Sequence, residues 1–309
     1  RIIMTNDRFY IYEYYNIIIF NSQGNLVRTI NHRGQGSEEY IMIIDFTLGK
    51  NGELAINDGN RRRILFYTDD DRFILTYPYP NDLEPRNIEY LNDSLLVLQS
   101  DVSGKNEFDL INPNSNILLN SYSPIKPAYI SAASHGRYVR YNGKLLWHEP
   151  LNNNICELTA DSAKIRYTID VDGRTPPQDF WLKDTARKEK KEWTELIREH
   201  RQKGYIDNIM FFSETDETIL LRFSGQNDTF DGTYALVDKE TRQSTVIDMI
   251  NFDGSFLWNP KQMYAQADGW IIIPIPPDLL LQEPQGDIAK QFPGLQPDDN
   301  PILCVAKLR

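Results

Sequence analysis

The chain has 309 residues, 40% of them hydrophobic and 12% aromatic, and a formal net charge of −11. That acidity argues against nucleic acid and anionic membrane as partners, because both are engaged first through an excess of lysine and arginine. No apolar run approaches the roughly 20 residues that span a bilayer; the longest are short stretches such as Trp270 to Ile275. Cys156 and Cys304 are too few for a disulfide framework, and each sits in an apolar strand-like run, so both read as buried thiols.

From Ile17 to Asp58 the chain reads as strand, tight turn, strand, glycine-rich corner, strand, tight turn, strand, and weaker copies follow to the C-terminus. Leu26 follows SQGN, Phe73 follows DDDR, Ile117 follows PNSN and Ile165 follows DSAK, with successive gaps of 47, 44 and 48 residues. This is the period of four-stranded propeller blades. Two later copies, YALVDKETRQSTVI and NPILCVAKL, keep the period once insertions of about 175–204 and 276–299 are removed.

Six units result: Arg1 to Ile30, Tyr40 to Tyr77, Arg86 to Ser121, Arg137 to Val171, Tyr205 to Ile250 and Lys261 to Arg309. The expected fold is all-β, a six-bladed β-propeller of four-stranded antiparallel blades forming a single domain over residues 1–309, with one helical insertion between blades four and five. The sixth unit shows three strands, so its fourth is expected from residues upstream of Arg1.

Strand patterning agrees. A sheet packed on both faces loses polar alternation, as in Ile17-Ile18-Ile19-Phe20, Ile41-Met42-Ile43-Ile44 and Trp270-Ile271-Ile272-Ile273. Short turns rich in Asn, Asp and Gly join first to second and third to fourth strands. The crossings between blades and the loops between second and third strands leave from the other end, and both insertions belong there. The first insertion predicts a helix over Asp184 to Gly204, with Trp193, Leu196, Ile197 and His200 at spacings of three and four and Gly204 as its stop.

The corner HRGQGSEEY (His32 to Tyr40), placed after a strand ending GNLVRTI, resembles the crossing of NHL-type repeats. Together with YNGKLLWHEPLNNNICEL and the closing DDNPILCVAKL, it more closely resembles the NHL-like and TolB-like six-bladed propellers abundant in Bacteroides-type gut bacteria. The resemblance implies a secreted or lipid-anchored protein of the cell envelope, with a lipoprotein signal upstream of Arg1. It supplies no catalytic residues. Ser37-Glu38 stands where that family has Pro-Gly.

Gly34-Gln35-Gly36 lacks the lysine-serine pair and following helix of a phosphate loop, so a turn with positive φ is expected there. Asp69-Asp70-Asp71 lacks calcium-loop spacing and reads as a polar hairpin turn. No nucleophile elbow and no cofactor motif occurs, so no catalytic residue is assigned. The four histidines show no zinc-ligand spacing. The one nucleus for an axial ion assembled from several blades, in the manner of propeller lactonases and lyases, is His135, His148 and Glu149.

Aromatic and cationic residues near the insertion-bearing face form the candidate ligand site: Arg33, Arg61, Arg137, Trp147, His148 and Trp258. Aromatic faces stack on sugar rings and arginines grip carboxylates. The expected function is therefore non-enzymatic binding of a small molecule, glycan or protein in the envelope. The competing expectations are a metal-dependent hydrolase or lyase and a purely structural scaffold.

Overall fold

The computed structural model describes residues 1–308 apart from 81–82, 101–104, 116, 125–137, 149–151, 178–179, 181–192, 207–208, 224–232, 248–249, 253–255, 259, 261 and 283–288. The side chains of 124, 193–194, 197, 201, 250–252 and 256–258 also lie outside the described set.

Blade one consists of β1 (Ile2–Met4), β2 (Arg8–Glu13), β3 (Asn16–Asn21) and β4 (Leu26–Ile30), and blade two of β5 (Ile43–Leu48), β6 (Leu54–Asp58), β7 (Arg63–Tyr67) and β8 (Phe73–Pro78). Blade three holds β9 (Pro85–Tyr90), β10 (Leu96–Ser100), β11 (Asn106–Asn112) and β12 (Ile117–Pro124). Blade four holds β13 (Tyr138–Tyr141), β14 (Lys144–His148), β15 (Asn154–Leu158) and β16 (Ala163–Thr168). Blade five holds β17 (Ile209–Glu214), β18 (Thr218–Phe223), β19 (Tyr234–Asp238) and β20 (Ser244–Ile247). A hairpin of β21 (Ile250–Phe252) and β22 (Phe256–Trp258) precedes blade six, which has β23 (Tyr264–Ala265), β24 (Trp270–Ile275) and β25 (Ile302–Lys307).

Within each sheet the strands hydrogen-bond in chain order, four to a sheet in blades one to five and three in blade six. The fold is the six-bladed β-propeller that the repeat predicts. The outermost strands of the first three blades begin at Leu26, Phe73 and Ile117, the residues that set the period.

The described residues divide into two compact units: 1–138 with 144–169 and 177–197, and 139–143 with 170–176 and 198–309. In the first, three apolar layers separate consecutive blades. Leu54 and Ile56 of β6 pack with Ile17, Ile19 and Tyr40 of the blade-one side, whereas Ala55 between them packs with Ile88, Leu96 and Leu98 of blade three. Val97 joins Phe108, Leu145 and Trp147 in the layer between blades three and four. Successive side chains of a strand point to opposite faces, so a blade with two neighbours needs apolar residues at every position. Each fully buried aliphatic side chain contributes about 1.5–3 kcal/mol of transfer free energy.

In the second unit, Phe211, Leu220 and Tyr234 of blade five pack with Met263, Ile271, Ile273 and Ile275 of blade six. The second insertion is tied to this layer. Its short helix Pro277–Gln282 buries Leu280 there, and Leu279 and Leu295 pack against the same cluster. The first insertion carries a helix over Trp193–Gln202 among the described residues; residues 184–192 of the predicted helix lie outside the described set. Leu196 is buried, and Gly204 takes φ 65°, the left-handed conformation that ends a helix.

Two expectations are corrected. Cys156 is buried but Cys304 is only half-buried, because β25 is the outermost strand of a three-stranded sheet. The crossing before blade six also holds the hairpin β21–β22, which the repeat period does not reveal.

Candidate functional site

The glycine corner is where the sequence concentrates turn formers and charge, and three features of blade two build it. Tyr67 Oη donates to Glu38 O at 2.6 Å. Arg61 donates to Gly36 O at 2.8 Å and to Gln35 O at 2.6 Å. Arg63 donates to Ser37 O at 3.0 Å and also to Glu39 O. Tyr40 is fully buried behind the corner, with its Oη donating to Tyr15 O at 2.8 Å. Burial pushes the Tyr40 phenol up to about 12.

Neither Gly34 nor Gly36 takes a positive φ, so the expected reason for these glycines is replaced by another. Glu39 folds back and accepts from Gly36 N–H at 2.7 Å. A Cβ on Gly34 would stand 2.0 Å from Glu39 Oε2, and one on Gly36 would stand 3.1 Å from it. The glycines are needed for room. The chain's own carboxylate already takes the Gly36 N–H, which leaves that donor closed to an external anion.

Beside this corner, β2 and β3 are joined by the two residues Tyr14 and Tyr15, with Glu13 paired to Asn16. Tyr14 takes φ 54° and is 78% exposed. Positive φ in a hairpin turn suits Gly, Asn or Asp; for a bulky residue it is strained. The guanidinium of Arg33 lies over the Tyr15 ring, 3.7 Å from its centroid. Arg33 is exposed, and its guanidinium makes no hydrogen bond or ion pair among the described residues. Its neighbours differ: Arg61 and Arg63 are committed to carbonyls, and Arg62 donates to Pro80 O at 3.0 Å and to Leu83 O.

The sequence-derived site residues are thus distributed unevenly. Arg33 and Arg61 meet at one corner, Arg33 with its donors open and Arg61 as a clamp. Trp147 is 2% exposed, with its ring edge-on to Phe108 at 4.9 Å, so the layer between blades three and four has absorbed the face expected at the surface. His148 is 1% exposed within β14, opposite Ile155, and is likewise withdrawn from a surface role. Both lie in a strand whose residues Leu145 to His148 are all buried, so the aromatic near its end continues the packing. Arg137, His135 and Glu149 lie outside the described residues, as does the Trp258 side chain; the Trp258 backbone pairs with Ile250.

The Asp69–Asp71 triplet is the hairpin turn expected, and its carboxylates are engaged. Arg8 Nη1 lies 2.7 Å from Asp69 Oδ1, and His32 Nε2 lies 2.8 Å from Asp71 Oδ1 while its ring stacks on Tyr67. Tyr14 and Tyr15 escaped sequence reasoning, although EYYN contains a signal: two tyrosines occupy a turn that ordinarily takes Gly or Asn.

The profile of the family described as "Domain of unknown function (DUF4934)" matches residues 1–307. No curated protein matches the chain. The fold is similar to that of a candidate exported protein (BF0058) of Bacteroides fragilis NCTC 9343, with TM-score 0.76 and 16% identity, over 100% of this chain and 90% of that one. It is also similar to a member of the DUF4221 family from Bacteroides vulgatus ATCC 8482, with TM-score 0.53 and 10% identity, over 99% and 92% of the two chains. At these identities the likeness is one of fold.

Proposed function

The chain belongs to the DUF4934 family, and from that premise we propose that it is a non-catalytic binding module of the bacterial cell envelope that takes an anionic ligand at the loop-bearing ends of its blades. The observation that carries this reading is Arg33: an exposed guanidinium held on the face of Tyr15, with its N–H donors open while the adjacent arginines are committed to backbone carbonyls. This cation–π contact holds the guanidinium over the ring without using its donors. A carboxylate therefore meets a pre-oriented fork and forms charge-assisted, bidentate hydrogen bonds with little further ordering.

Chain topology supports the choice of end. The Tyr14-Tyr15 turn and the crossing that contains Arg33 leave their strands at the end of the blade from which, in their own blades, both insertions also leave. The similarity to a candidate exported protein supports an envelope location; among the described residues no helix is long and apolar enough to cross a membrane. A lipid anchor is part of the same proposal.

Equilibrium binding to an array of anionic and neutral small molecules, glycans and peptides tests the reading. Binding of anions that falls with added salt and is lost in Arg33→Ala, but kept in a folded Arg61→Lys variant, supports it. Anion binding that Arg33→Ala leaves unchanged, or that maps to the tight-turn end, overturns it.

A further inference from the structure

The side chain of Tyr14 is the largest exposed aromatic surface among the described residues, and it stands in a backbone conformation that disfavours it. Nothing in packing explains the choice. The ring is 78% exposed, so burial does not compensate the strain of φ 54°. Glycine or asparagine at this position would close the same turn at lower cost. Backbone strain of this kind clusters at functional sites.

What the ring could serve follows from its surroundings. Glu13, Asn31, Gln35, Ser37 and Glu38 around the corner are all exposed and polar. A tyrosine at the centre of a protein interface sits in an apolar, desolvated core, whereas these neighbours of Tyr14 are exposed and polar. A flat aromatic face among hydrogen-bonding groups, next in the chain to a ring that carries an open guanidinium, suits a pyranose ring that bears a carboxylate. The apolar C–H face of the sugar would lie on Tyr14, its carboxylate on Arg33, and its hydroxyls among the surrounding polar groups.

We propose that Tyr14, Tyr15 and Arg33 form a subsite for an acidic saccharide, a uronic-acid residue, with Tyr14 as the stacking platform. This deepens the anion-binding reading above and rests on it. The site binds and does not turn the sugar over.

The test is calorimetric titration of the full chain with oligogalacturonate, with a neutral oligogalactoside and with an oligoglutamate peptide, using wild type, Tyr14→Phe, Tyr14→Gly and Arg33→Ala. The proposal expects oligogalacturonate to bind at least about tenfold more tightly than either other probe, a factor equal to about 1.4 kcal/mol. Tyr14→Phe should keep that affinity within about twofold, and Tyr14→Gly and Arg33→Ala should each lose about tenfold or more, as expected for a desolvated aromatic or guanidinium contact. Tyr14→Gly should at the same time raise the Tm, which separates loss of the platform from loss of the fold. Oligoglutamate binding as well as oligogalacturonate, with Tyr14→Gly without effect on either, overturns the saccharide subsite and leaves the anion site standing. Failure of every anion to bind, or indifference to Arg33→Ala, overturns both.

Discussion

Arg1 Nη1 donates to Asp45 Oδ2 at 2.6 Å, and the same guanidinium reaches Ile88 O at 3.2 Å and the carboxylate of Glu89. One side chain before β1 thus joins the first strands of blades two and three. Asp45 is 8% exposed, and burial, the largest effect on it, raises its carboxyl above the ordinary value although Arg1 opposes this. Glu89 accepts a further bond from Thr47 Oγ1 at 2.9 Å, and Asp45 one from Ile88 N–H at 2.9 Å.

Removing Arg1 leaves a buried carboxylate without its counter-ion. Arg1→Ala should lower the free energy of unfolding by about 3 kcal/mol, the usual loss when one member of a buried pair is taken away. Adding Asp45→Asn should recover part of this, because the double variant removes the more deeply buried of the two carboxylates that Arg1 engages. Urea unfolding of the two single variants and the double variant measures the coupling; strict additivity would show that the pair is not energetically linked.

Gly34→Ala should destabilise the chain by about 1–3 kcal/mol, as overpacking and a displaced hydrogen bond do. The added Cβ drives Glu39 off Gly36 N–H. Because the obstruction is the end of a flexible side chain, Glu39→Ala should make the same glycine replacement nearly neutral. Thermal unfolding of this double-mutant cycle decides between lack of room and backbone conformation as the reason for the glycine.

Three turn carboxylates should behave oppositely to Asp45 in acid. Thr159 and Ser162 hydroxyls donate to Asp161, Thr68 and Arg72 donate to Asp70, and Thr241 donates through N–H and hydroxyl to Asp238, and these bonds hold all three below the ordinary carboxylate value of 3.8. A depressed folded pKa means that the unfolded chain binds more protons as the pH falls, so their stabilisation is present in full above the unfolded value and disappears as the pH drops through the folded one. The Asp45 carboxyl is raised, so its contribution runs the other way, favouring the fold below 3.8 and weakening as the pH rises through its folded pKa. Carboxyl NMR titration of the native protein should show the three turn groups protonating last.

In alkali the phenols take over. Burial pushes Tyr40, Tyr79, Tyr90 and Tyr234 each up to about 12 from an ordinary 10. Groups with a raised folded pKa stabilise the fold below the unfolded value, and that stability is lost as the pH climbs towards the folded one. Phenolate absorbance should therefore rise in two stages, exposed rings first and the buried set together with loss of secondary structure. Titration of all tyrosines in one reversible step with the circular dichroism unchanged would contradict this.

The blade period, the turns and the places of both insertions were legible because they depend on local rules. Asn142 and Gly143 both take positive φ, 53° and 72°, as an Asn-Gly hairpin turn requires, and Asp268-Gly269 does the same at 52° and 79°. The continuous runs of Ile and Leu were legible too, since a strand with neighbours on both faces cannot alternate. Trp147 and Arg33 were harder, because a sequence shows an aromatic or a cation but not what it lies against. One went into the layer between blades with its ring on Phe108; the other came to rest on Tyr15 with its donors open.

By itself, then, the sequence determined the repeat, the propeller and the ends at which its loops emerge, through turn chemistry and the burial of both faces of each strand. Only the tertiary structure decided which charged and aromatic side chains remain available. Arg61 and Arg63 are used up on the carbonyls of a corner more than twenty residues away in sequence, and Gly34 yields its space to Glu39. Such pairings depend on distances between segments that no local pattern encodes.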